Sequence, residues 1–166
     1  KFYMKIATIL PYKENYTIAK AQAAAIWVCD FFKYSKFKDG NFIFGNTNSK
    51  DYLTKNYVNI NINNLKSKFT SSTKEYCNNF IKKTVNDNFD IIEIHNRPLV
   101  FNYLKKEIIS KFILYFHNDP LSMNGSKTAN ERLNLLINLD KIIFVSKWVQ
   151  DRFFIDLDQT LLNKTE

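Results

Sequence analysis

Short apolar runs alternate along this chain with longer segments in which apolar residues recur every three or four positions. The short runs predict strands at Lys5–Leu10 (KIATIL), Asn41–Phe44, Tyr57–Ile60, Asp90–Ile94 (DIIEI), Phe112–Phe116 (FILYF) and Lys141–Val145 (KIIFV). The longer segments predict helices at Thr17–Tyr34, Thr70–Val85, Leu99–Ile109, Ala129–Leu139 and Lys147–Phe154. Strands that are apolar almost throughout belong in a parallel sheet with helices on both faces, and the alternation of strand and helix is the pattern of βαβ units. The expected fold is α/β, a Rossmann-like open parallel sheet of about six strands ordered 3-2-1-4-5-6. The polar, turn-rich stretch Asn46–Lys55 (NTNSKDYLTK) between the second and third strands reads as a loop.

The polar residues of interest gather at one edge of that sheet. Pro11, Pro98 and Pro120 each fall just past the end of a predicted strand, and the two histidines of the chain accompany two of them, in His95-Asn96-Arg97-Pro98 and His117-Asn118-Asp119-Pro120. The same H-N-x-P loop thus closes two consecutive strands, at the edge where open α/β sheets bind ligands. Each loop also has a purely structural reading, because proline suits the first position of a helix and Asp119 suits a turn. After the second loop, Leu121–Thr128 (LSMNGSKT) is polar and contains Gly125, which predicts a mobile, ligand-facing loop. Neutral histidines beside Asn and Asp can exchange hydrogen bonds with sugar hydroxyls and move protons near neutral pH. In the first strand–helix connection, Lys13, Glu14 and Asn15 bring a cation and an anion to the same edge, as a site or as a solvated turn.

Length and composition narrow the alternatives. A chain of 166 residues suits one domain. The net charge of +8 and pI near 9.4 arise from lysines scattered over every segment, an unfocused pattern that does not outline a nucleic-acid groove. An anionic membrane surface is the second reading of that charge, centred on Lys66, Lys68, Lys74, Lys82 and Lys83 on and before one predicted helix. Cys29 and Cys77 have no metal or redox spacing and are expected to be free, buried thiols in a reducing, cytoplasmic setting. With glycine only at positions 40, 45 and 125, neither a dinucleotide fingerprint nor a phosphate-binding P-loop is present. No metal site is expected, since only two histidines exist and no ligand pair has helical spacing.

The stretch Ile113–Phe153 resembles the second half of the N-terminal domain of family 4 glycosyltransferases. The likeness rests on a strand ending in His117, then Asn118-Asp119-Pro120, a later Glu131-Arg132, and Val145-Ser146-Lys147 opening a helix. DIIEIHNRP is similar to the family's fourth-strand loop, and KIATILPYKE is more weakly similar to its first strand.

The resemblance implies a GT-B architecture of two facing Rossmann-like domains. This chain would be the N-terminal, acceptor-side half, inactive alone, and the nucleotide-sugar, a co-substrate rather than a cofactor, would be held mainly by the other domain. It implies transfer of a hexosyl group with retention to a glycan or lipid-linked acceptor in bacterial envelope polysaccharide or lipopolysaccharide synthesis, in the cytoplasm or on the inner face of the membrane. His117 would be the catalytic residue beside the transferred sugar. Lys13, Glu14, Asn15, His95, Asn96, Arg97, Asn118, Asp119 and Ser122 would line the acceptor side, with Ser146 among the substrate contacts and Arg132 meeting a charged acceptor group. The first loop departs from the family in lacking glycine, and the family's paired glutamates of the second domain are absent from these residues. The competing class is a non-catalytic Rossmann-like module that binds a small ligand or nucleic acid.

Overall fold

The computed structural model describes residues 4–62, 71–158 and 160. Six strands, β1 (Ile6–Ile9), β2 (Asn41–Gly45), β3 (Tyr57–Asn59), β4 (Ile91–His95), β5 (Lys111–Phe116) and β6 (Lys141–Phe144), form one sheet in the order β3-β2-β1-β4-β5-β6. Every pairing is parallel, as the apolar runs predict. Five helices accompany them: α1 (Ala23–Tyr34), α2 (Ser72–Lys83), α3 (Pro98–Leu104), α4 (Ala129–Asn138) and α5 (Lys147–Phe153).

Strand alternation sends Ala7, Ile9, Phe44, Ile92, Ile94, Phe112, Leu114 and Phe116 to one face, where they form a single core with residues of α2, α3, α4 and α5. The opposite face carries a smaller core in which Ala25, Val28 and Cys29 of α1 pack on Leu10, Ile43 and Tyr57. Helices therefore cover both faces, but among the described residues α1 alone covers the second. That second face also holds a buried polar row. The Thr8 hydroxyl bonds Asn41 at 3.0 Å and the Glu93 carboxylate at 2.8 Å, and the Tyr115 hydroxyl lies 3.4 Å from Glu93. Cys29 and Cys77 are free and buried, one in each core.

The chief departure from the expected elements is the start of α1, which begins at Ala23 rather than Thr17. Residues 17–22 instead make a compact connection, held by a bridge between Thr17 and Tyr52 and by Thr17 O accepting from Lys20 N and Ala21 N. Thr17 and Ile18 are β-branched and lose side-chain freedom in a helix. Tyr16, just before this connection, is buried and its ring stacks on Tyr57 at 4.9 Å, which holds the segment against the sheet.

Candidate functional site

All six strands end at the same edge, so the connections after β1, β4 and β5 rise side by side. Between them lies a cavity of about 300 Å³ bordered by Tyr12, Asn96, Arg97, Asn118, Ser122 and Asn124. Tyr12 also borders an adjoining cavity of about 290 Å³ with Lys13, Asn15, Asn46 and Asn48. Of the residues singled out in the sequence, Lys13, Asn15, Asn96, Arg97, Asn118 and Ser122 thus line two neighbouring hollows. Arg97 is their most distinctive group. Its guanidinium lies 5.8 Å from the centre of the Tyr12 ring and donates to the backbone oxygen of Asn96 at 2.8 Å. Among the described residues no carboxylate forms an ion pair with it, which leaves most of its five donors for a ligand.

Asn96 holds this edge together. Its backbone is left-handed, at φ 52°, and its buried Oδ1 accepts from the backbone N–H of His117 at 2.7 Å and of Asn118 at 3.3 Å. Asparagine tolerates the left-handed region because its short side chain can bond the nearby backbone. The Asn of the first H-N-x-P loop thus fastens the second loop.

His95 and His117 stand apart from both cavities, on the α1 face of the sheet. His95 Nδ1 lies 2.8 Å from His117 Nε2. The His95 ring stacks on Tyr115 at 4.5 Å, and Trp27 of α1 packs on both histidines, its ring centre 5.7 Å from His95 and 5.3 Å from His117. Burial pulls the His117 pKa down to about 4. His95, fully enclosed, is pulled well below its ordinary value by burial first and by His117 second. Both rings are neutral at physiological pH.

Four expected ligand contacts are committed to the fold instead. Glu14 is buried, and its Oε1 accepts from Ala25 N at 2.6 Å in the first turn of α1. Arg132 is 1% exposed and donates to the backbone oxygens of Phe153, Ser126, Lys127 and Ile155 at 2.7, 3.2, 2.8 and 2.5 Å. A guanidinium enclosed by carbonyls clamps the chain and cannot reach an acceptor. Asp119 receives Arg152 of α5 at 2.9 Å and caps Leu121 N at 3.0 Å. The Arg152 bond is the main reason that its carboxyl titrates below the usual range. Ser146 accepts from Val149 N at 3.3 Å and caps α5.

The connection after β5 is likewise pinned rather than mobile. Ser126 is fully buried and donates to Pro120 O at 2.6 Å, while Gly125 packs against Pro98 and Leu99 of α3.

Thr73 of α2 also borders the first cavity, and neither it nor Tyr12, Asn124 or Trp27 is among the site residues expected from the sequence. Tyr12 follows a strand-end proline, a signal of the same kind as the histidine loops, whereas Trp27 is brought to the histidines only by the packing of α1 across the sheet. Of the lysines read as a membrane surface, Lys66 and Lys68 lie outside the described residues. Lys74, Lys82 and Lys83 are exposed, but at about 100° per residue Lys74 and Lys83 fall about 180° apart around α2. No helix among the described residues is long and apolar enough to cross a membrane.

No protein-family model matches the sequence, and no curated protein matches it. Solved structures do. Sucrose-phosphate synthase from Thermosynechococcus elongatus matches in two structures. One has a TM-score of 0.60 at 10% identity, over 90% of this chain and 81% of that one. The other has a TM-score of 0.61 at 11% identity, over 90% of this chain and 44% of that one. This chain thus spans less than half of the longer solved chain. At such identity the likeness is one of architecture alone: the chain shares the Rossmann-like, parallel α/β fold of those structures.

Proposed function

We propose that this chain is the N-terminal, acceptor-side half of a GT-B glycosyltransferase of the family 4 type, and that a second domain holds most of the nucleotide-sugar. The observation that carries the proposal is the pair of polar cavities at the strand-end edge of a sheet whose fold matches that of sucrose-phosphate synthase. Amide, hydroxyl and guanidinium groups there match the hydroxyls of a glycan, and Arg97 matches an anionic group such as the phosphate of a lipid-linked acceptor. The reaction is hexosyl transfer with retention of configuration, in envelope polysaccharide or lipopolysaccharide synthesis at the cytoplasmic face of the membrane. The sequence motifs on which the family resemblance rests support that assignment. His117, on the α1 side of the same edge, is the residue proposed to meet the transferred sugar.

Isothermal titration of this chain with UDP-glucose and GDP-mannose tests the division between domains. Weak binding is expected, and tight binding of either would refute it. In the full-length enzyme, Arg97→Ala is expected to raise the acceptor KM about tenfold, the loss of one charge-assisted hydrogen bond, with little change in Tm. An unchanged KM would remove Arg97 from the acceptor site.

A further inference from the structure

The contact between His95 and His117 admits one proton. At 2.8 Å, Nδ1 of His95 and Nε2 of His117 form a hydrogen bond in which one nitrogen donates and the other accepts. Neither ring can be doubly protonated without losing that arrangement or bringing a charge into an enclosed site. The remaining nitrogen of His95, Nε2, is buried and has no hydrogen-bond partner among the described residues.

Two proton placements satisfy the contact. If His117 Nε2–H donates, His95 carries its proton on Nε2, and an N–H is sealed in with nothing to receive it. If His95 Nδ1–H donates, His95 Nε2 is a bare lone pair. Among buried backbone groups an orphaned N–H is a rarer defect than an under-satisfied acceptor; extended to the imidazole, the same asymmetry makes burial of His95 Nε2 favour the second placement. His117 then carries its proton on Nδ1, the nitrogen to which the protein offers no partner among the described residues.

We infer that His95 is a positioning residue that holds His117 as the neutral Nδ1–H tautomer, so that His117 offers a hydrogen-bond donor, and not a base, to a ligand oxygen at the sheet edge. The ring contacts serve the same end. Tyr115 stacks on His95 within 8° of parallel, and Trp27 meets His117 nearly edge-on at 75°. The two imidazoles are thereby kept from rotating apart. If the sheet edge binds sugars, as proposed above, the His117 N–H would bond a sugar oxygen or a developing negative charge on one. It would not abstract a proton.

Nitrogen-15 spectroscopy of histidine-labelled protein reads the tautomer directly, without any ligand. At neutral pH, a protonated Nδ1 and a bare Nε2 on His117 are expected, and the reverse pattern would overturn the inference. In His95→Phe, which keeps a planar ring but removes both nitrogens, His117 should revert to a mixture of tautomers. His95→Asn, whose amide nitrogen can stand where Nδ1 stands, should restore the single form. A His117 spectrum unchanged in His95→Phe would show that His95 merely fills space. Should that variant fail to fold, the wild-type and His95→Asn spectra decide the question. The outcome is separable from the sugar reading: an Nδ1–H tautomer in a full-length protein that transfers no sugar would sink that reading and leave this one standing.

Discussion

The carboxylate of Glu14 stands 2.6 Å from the backbone N–H of Ala25 and takes over a task that the helix cannot perform for itself. The residue before α1 is Gln22, whose side chain makes no capping bond. A helix start leaves its first N–H groups without partners, and the buried Glu14 carboxyl oxygen accepts from one of them, although burial raises the group's pKa. Glu14→Ala is expected to lower stability by about 1–2 kcal/mol, the usual range for a lost cap, in a urea titration. Glu14→Gln should recover part of that loss, because the amide oxygen can still accept. A Glu14→Ala protein as stable as wild type would show that α1 starts equally well without it.

Arg132 should be among the least replaceable side chains in the domain. Its removal strands four carbonyls that it now serves, and leaving buried polar groups unpaired costs about 1–3 kcal/mol each before relaxation. Arg132→Met is expected to destabilise by about 3 kcal/mol or more. Arg132→Lys should fare little better, since an ammonium cannot reproduce the planar fork. Equilibrium unfolding of both variants checks this, and a loss under about 1 kcal/mol in either would contradict the clamp.

Gly125 has φ +93°, and a β-carbon placed there would come within 3.1–3.2 Å of Leu99 and Pro98. Gly125→Ala therefore combines backbone strain with a steric clash against α3. It should cost about 1–3 kcal/mol. It should also speed proteolysis near residues 121–128, the segment that Gly125 ties down. Wild-type resistance to protease would argue against that tie.

The histidine pair should make stability depend on pH in a predictable direction. Burial moves the His117 pKa from 6.5 to about 4, and His95 shifts the same way. Between those values the unfolded chain binds more protons than the folded one, so this contribution is complete above pH 6.5 and is lost as pH falls toward 4. Glu14 and Glu93 act oppositely. Burial raises both, so their contribution is present below their ordinary 4.5 and lost as pH rises through the folded values. Unfolding free energies measured from pH 7 to 4 should fall less steeply in His117→Phe than in wild type. A difference of about 2 kcal/mol is expected for His117 after allowance for its partial exposure. Parallel curves would show that His117 titrates normally in the folded protein.

The sheet was legible in the sequence because parallel strands buried on both faces must be apolar almost throughout, and runs such as IATI, IIEIH and KFILYF have few other uses. The strand-end edge at which these polar loops gather was legible too, since prolines and histidines at strand ends leave local marks in His95–Pro98 and His117–Pro120. The partner of each polar side chain was not legible. Arg132 and Ile155 are 23 residues apart, Asp119 and Arg152 are 33 apart, and His95 and His117 are 22 apart. Nothing in local spacing distinguishes an arginine that clamps four carbonyls from one that awaits a ligand, or a carboxylate that caps a helix from one that faces solvent. Those choices depend on which backbone groups the folded chain leaves unpaired, and only the packing of α1, α4 and α5 against the sheet decides that.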